Sequence, residues 1–556
     1  MKKNLLLLSA AVLALTSCSK LGELSADYFK VTPNPLATET GEVPATINGM
    51  FPEKYMKKKA VVTVIPELRY ANGQVAKGTS ATFQGEKVRG NNSVVSYRLG
   101  GNYTMKTSFK YVPEMQKSEL YLTFDAKIGK KSVNVPAVKV ANGVIATSEL
   151  YKNTVKTTQA CLAQDAFQRV TLQKQEANIK FLIQQAELRK SELKNNSIKE
   201  FVSLLKRINV DKEGLNLNNI EVSAYASPDG GYKLNDKLAS NRQKNTEKFV
   251  EKQLKETNVE AYVDAKYTAQ DWEGFQELVR ASNIQDKEVI LRVLSMYKEP
   301  EEREQQIKNM SAGFEELANG ILPELRRARL TINYEIIGRD DEQIMAQYKA
   351  DPKVLSVDEL LYAAVLTENK KEQEAIYATT TKVYPNDARA YNNIATIAYS
   401  EGNYSKAKEY AEKALKINAN CNEATANLGL IALKDGKVSE AEALIAKASG
   451  ANGIEEVIGN LNLAKGNYAQ AEYDMRKAKS NSAALAQILN NNYSAALQTL
   501  NSVTAPDGTT EYLKAIVYAR QGNNNASAAA LKNAIAKDSS WAKYAANDLE
   551  LSNVSK

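Results

Sequence analysis

The chain has 556 residues, 43% hydrophobic and 25% charged, and its 73 basic residues against 65 acidic ones give a formal charge of +8. That length exceeds one domain, the ordinary composition excludes long disordered tracts, and without a Lys/Arg block the modest charge speaks against nucleic acid as a partner. There is no histidine. Its absence removes Ser-His and Cys-His nucleophile pairs, imidazole metal sites and histidine acid–base chemistry, so a non-catalytic protein without cofactor or metal is expected.

The opening MKKNLLLLSAAVLALTSC sets two lysines before an apolar run from Leu5 to Leu15, followed by small residues up to Cys18. The run is too short to span a bilayer as a mature helix and reads as a cleaved secretory signal over residues 1–17. Leu15 to Cys18, LTSC, resembles the lipobox of bacterial lipoproteins. That resemblance implies cleavage before Cys18, a diacylglycerol on its sulfur and an acylated amino terminus, palmitate being the usual kind of chain. Several acyl chains anchor firmly where a single one binds marginally. Residues 18–27 are then a lipidated tether. The following SKLGEL lacks the acidic cluster that marks surface-exported lipoproteins of the Bacteroides group, so the expected place is the periplasmic leaflet of the outer membrane. Cys161 and Cys421 remain, and either a disulfide or two buried free thiols suits them.

Residues 28–150 alternate with period two. AVVTVIPELRY sets Val62, Val64, Leu68 and Tyr70 on one face, and NYTMKTSFKY does the same with Tyr103, Met105, Phe109 and Tyr111. Several such runs predict an antiparallel β-sandwich. Residues 151–177 turn polar and read as a helical connector. Strands and helices then alternate over 178–340: NIKFLI, a helical stripe through Ile198, Phe201, Leu205 and Ile208, IEVSAYA, a long helix, VEAYVDAKY, further helical segments, and RLTINYEII. That order predicts a mixed sheet covered by helices, with a helical insert at 268–325.

Within this segment, AYASPDGGYKLNDKLASNR resembles the motif of the OmpA C-terminal domain family, a strand followed by G-H-T-D-x-x-G and N-x-x-L-S-x-x-R. Gly230 falls on the family glycine, Asn235 on its asparagine, Leu238 on its leucine and Arg242 on its arginine. The resemblance implies peptidoglycan binding, with the helix arginine taking a carboxylate of the stem peptide and an aspartate taking the neighbouring amine. Asn235, Leu238 and Arg242 stand at i, i+3 and i+7 and share one helix face, and a guanidinium there suits a carboxylate. The family aspartate is replaced by Ser227, and Asp229 is the nearest acid that could substitute. The ligand-binding set expected from the resemblance is therefore Arg242, Asn235, Ser227 and Asp229.

From residue 350 to 550 the chain repeats itself. Gly402, Gly436, Gly466 and Gly522 recur before similar residues, Asn491 holds the same register without glycine, and Ala407, Ala441 and Ala471 follow their glycines by five residues. The first interval and the alanines resemble the tetratricopeptide repeat, clearest in VYPNDARAYNNIATIAYSEGNYSKAKEYAEKALKINAN. That family implies an all-α solenoid whose use is to dock protein partners.

The sequence reads as a non-catalytic cell-envelope lipoprotein that tethers the outer membrane to peptidoglycan, scaffolds an envelope protein complex through its repeats, or both. The alternatives are an accessory subunit of an outer-membrane assembly or secretion machine without peptidoglycan binding, and a surface-displayed adhesion or glycan-capture lipoprotein.

Overall fold

Period-two burial builds the N-terminal region. Ala60–Tyr70 buries Val62, Val64 and Leu68 while its alternate residues stay half-buried, and Glu42–Phe51 does the same with Val43, Ala45 and Ile47. The computed structural model describes residues 20–554 except 285, 286 and 310. The leader and Cys18 lie outside the described residues. No helix among the described residues is long and apolar enough to cross a membrane.

Phe29–Thr32, Glu42–Phe51 and Gly101–Lys110 form one antiparallel sheet. Ala60–Tyr70 pairs with Glu119–Ile128 at the centre of a larger sheet. Side chains of both, from Ile47 and Phe51 to Val64 and Leu122, belong to one apolar core. The expected β-rich start is present.

The chain divides into two compact units, one made of everything up to Asp165 together with Ser356 onward, the other of Ala166–Leu355. The β region and the C-terminal helices share a unit, and the α/β segment is inserted into it.

In the inserted unit the sheet runs in the order Val170–Lys180, Arg327–Ile337, Leu215–Tyr225, Val263–Thr268. The first two pairings are antiparallel and the last is parallel. Helices Asn196–Val210 and Tyr232–Thr257 contribute Phe201, Leu205, Val250 and Leu254 to a core shared with Ile179, Val222 and Leu330 of the sheet. The segment 268–325 forms short helices around its own cluster of Phe275, Val279, Ile290 and Leu294. A mixed sheet with a helical insert is therefore present.

The helical connector expected over 151–177 is not. Helix is confined to Tyr151–Thr154 and the turn Val155–Thr157, residues 159–168 carry no regular structure, and Val170–Lys180 is a strand. The strand forms because eleven of its residues find register partners in Arg327–Ile337, a long-range pairing that overrides a weak local preference.

Among the described residues, six helical hairpins follow Ser356, from Val357–Val365 with Lys370–Val383 to Gly508–Arg520 with Asn524–Lys537. The turns of the last five carry a left-handed residue: Gly402, Gly436, Gly466 and Gly522 have φ between +72° and +76°, and Asn491 takes the same place at φ 63°. Asparagine is among the few side chains that tolerate this conformation. Ala407, Ala411, Ala441, Ala471 and Ala534 are buried where paired helices approach.

Candidate functional site

Two places gather polar side chains in buried surroundings, one in each unit. In the inserted unit, the strand Leu215–Tyr225 ends in Ser227-Pro228-Asp229-Gly230-Gly231, and the helix Tyr232–Thr257 begins behind Gly231. Asn235 shapes that bend: its side-chain amide donates to the Ser227 carbonyl at 2.9 Å and to the Gly230 carbonyl at 2.7 Å. The Ser227 hydroxyl donates to Asp229 Oδ1 at 2.5 Å, while Arg326 donates to Ser227 Oγ at 3.2 Å and pairs with Asp229 Oδ2 at 3.0 Å.

Arg242 is not the open clasp that its helix spacing suggests. It is 1% exposed, and its guanidinium donates to the carbonyls of Tyr225 at 2.8 Å, Gln185 at 3.0 Å and Leu182 at 3.3 Å. The ring of Phe181 lies 4.9 Å from its central carbon. Carbonyl dipoles thus replace its hydration, leaving two of five N–H donors uncommitted. Among the described residues no carboxylate bonds it. Burial first, then the neighbouring Arg326, pull its pKa down to about 10, against the opposing pull of Asp229.

The four residues expected to bind a ligand are therefore adjacent, and Arg326 joins them. All five line a small cavity of about 70 Å³ together with Ile183 and Leu234. Two guanidiniums and one carboxylate give its wall an excess of one positive charge. Asp229 does not stand ready to replace the family aspartate, because Arg326 already holds it. Among the described residues no group of His, Cys, Asp and Glu could hold a metal ion.

The second place is the inner surface of the helical array. Its floor is made by the first helices of successive hairpins, Ala388–Ser400, Asn422–Lys434, Ile454–Ala464 and Asn481–Leu489. Each carries a buried asparagine: Asn392 and Asn393, Asn427, Asn460 and Asn481. The chain's own segment 155–165 lies along them. Cys161 donates its N–H to Asn427 Oδ1 at 2.7 Å, and its carbonyl accepts from Asn427 at 2.9 Å and Asn392 at 3.0 Å. Ala163 has the same two-sided pairing with Asn393, at 2.9 and 3.0 Å. Thr158 Oγ1 accepts from Asn460 at 3.0 Å and lies 3.3 Å from Ser482 Oγ, while the Tyr399 hydroxyl donates to the Val155 carbonyl at 2.5 Å. Clefts of about 450 and 480 Å³ both border the segment at Gln159, Ala160 and Leu162.

The family model for the tetratricopeptide repeat matches residues 388–421. This part of the chain is a tetratricopeptide repeat. No curated protein matches the sequence. Among solved structures, a tetratricopeptide repeat protein from Parabacteroides merdae is 14% identical, aligning 44% of this chain with 98% of that one at a TM-score of 0.28. PilF of Pseudomonas aeruginosa is 15% identical over 37% of this chain and 97% of its own, with a TM-score of 0.26. PilW, a type IV pilus biogenesis factor, is 16% identical over 35% and 94%, also at 0.26. Likeness at that level assigns neither architecture nor function.

The asparagines of the tetratricopeptide array are the residues the repeat pattern left unnoticed. Asn393 precedes Gly402 by nine residues and Asn427 precedes Gly436 by nine. A polar amide recurring on an otherwise apolar inner helix is a signal that something polar must meet it. Cys161 and Cys421 are both buried and free, so no disulfide forms between them.

Proposed function

We propose that the protein is a non-catalytic scaffold of a Gram-negative cell envelope, lipid-anchored at Cys18 in the periplasmic leaflet of the outer membrane. Its inserted unit meets the anionic end of a peptidoglycan stem peptide, and its tetratricopeptide array offers a surface for a protein partner. Arrays of this kind serve as docking surfaces and are typically not catalytic.

One observation carries the wall-binding part. The cavity beside the glycine bend has Arg242 in its wall, a buried cation whose hydrogen bonds all go to neutral carbonyls. A charge kept from water without a carboxylate partner attracts an anion that reaches it. Ile183 and Leu234 line the same cavity and are 59% and 46% exposed, so an aliphatic stretch beside the anion has apolar surface to cover.

The test is sedimentation with purified sacculi. The wild-type chain pellets with them, and Ile183→Glu, which sets a competing carboxylate at an exposed position, pellets several-fold less. A wild type that stays in the supernatant, or an Ile183→Glu chain that pellets equally, removes wall binding. What favours the accessory-subunit reading instead is the engagement of Asp229 by Arg326, which leaves the amine half of a zwitterionic ligand without an acid.

A further inference from the structure

A partner's extended peptide would be sought along the inner surface of a tetratricopeptide array, and here that place is filled. We propose that residues 155–165 are the array's built-in peptide ligand, held permanently, and that protein partners dock outside this groove.

The readout is of backbone, not of side chains. An asparagine amide carries the same acceptor and donor pair as a peptide group. Asn427 spends its pair on the N–H and C=O of Cys161, and Asn393 does so on Ala163. In an extended chain every second residue turns these groups to the same side, so two asparagines on successive inner helices reproduce one edge of a strand ladder. The groove is thus built for an extended strand with small side chains. The stretch TQACLAQD opens on Thr158 with extended backbone and carries no helix, and its Thr158, Cys161 and Ala163 are all buried.

Three further observations favour permanent over passing occupancy. Leu150, Tyr151, Val155 and Cys161 belong to the same apolar cluster as Leu430, Leu433 and Leu485 of the repeats, so leaving would open that core to water. The segment is fixed at both ends, by Tyr151 in that cluster and by Arg389, which donates to the Asp165 carbonyl at 2.8 Å. A strand tethered twice competes at an effective concentration that a free peptide does not match. Finally, an empty groove would strip Asn392, Asn393 and Asn427 of partners that they now hold in a buried setting.

Amide hydrogen exchange on the full chain tests this without any substitution. The amides of Cys161 and Ala163 exchange at rates within about tenfold of those of Leu430 and Ile431, because the segment leaves only when the array unfolds. Exchange at Cys161 and Ala163 more than about a thousandfold faster, with Leu430 still protected, overturns the proposal. A second arm uses Asn427→Leu in a chain whose Cys18 and Cys421 are replaced by serine, followed with a thiol reagent. Labelling of Cys161 rises at least about tenfold over the same chain with Asn427 intact, and an unchanged rate means the asparagine does not hold the segment. Neither arm involves the cell wall, so failure to pellet with sacculi leaves this inference standing.

Discussion

Asn235 and Arg242 illustrate what spacing can and cannot foretell. Their i and i+7 positions bring both to the inner side of one helix, and the bend they serve was legible from Pro228-Asp229-Gly230-Gly231. What Arg242 bonds was not legible, because its acceptors are carbonyls of residues 182, 185 and 225, which carry no side-chain signature. Cys161 is a similar case: its sequence neighbourhood is polar, yet it is 2% exposed and burial pushes its thiol up to about 12 from the ordinary 9.0. The folded state keeps the proton that the unfolded chain releases above pH 9, so this group leaves stability unchanged below that pH and lowers it as pH rises toward 12. The expected loss by pH 10 is about 1 kcal/mol. Comparing urea midpoints of wild type and Cys161→Ala at pH 8 and pH 10 isolates it. The wild type falls further by that amount, and parallel shifts in both chains would show that the thiol is not sheltered.

At the scale of elements, the repeats were readable because a left-handed turn residue is a strict local demand. Gly402 has φ +75° with nothing within 4 Å of a Cβ built on it, so the only objection to a side chain there is conformational. Gly402→Ala is expected to destabilise the array by about 1 kcal/mol and Gly402→Val by more, with Gly402→Asn between glycine and alanine. Asn491→Gly, at φ 63°, should change stability by less than about 0.5 kcal/mol, since the relief of strain is offset by a freer unfolded chain. Thermal melts of the four variants settle the order; an alanine at 402 as stable as glycine would show that the turn has relaxed. The segment 151–177 was misread for the opposite reason. Nothing local sets the path of 159–168, and the course of its first half comes from asparagines more than two hundred residues later in the chain, as the pairings of Cys161 with Asn427 and of Ala163 with Asn393 show.

For the whole molecule, the decisive feature is where the inserted unit leaves and re-enters. Arg389 NH1 donates to the Asp165 carbonyl at 2.8 Å and also meets Asp358 Oδ1 at 2.8 Å, so the chain on either side of the insert converges on one nitrogen. A further tie joins the β region to the last helices: Thr147 Oγ1 donates to Glu550 Oε1 at 2.7 Å, and Glu550 is held in turn by Arg520. The order of modules along the sequence could not disclose this, because insertion is a matter of which ends meet in space. It does predict that residues 166–355 can be replaced by a flexible linker of about four residues, leaving a chain that melts cooperatively at close to the temperature of the same unit in the full protein. The array alone, residues 356–556, lacks the segment that fills its groove and the apolar side chains of Leu150, Tyr151 and Val155. It should melt about 10 °C or more below the linker-joined chain, given several kcal/mol of lost burial. If the array alone were equally stable, its groove would not need its own strand, and the asparagine ladder would have to be explained by a ligand from elsewhere.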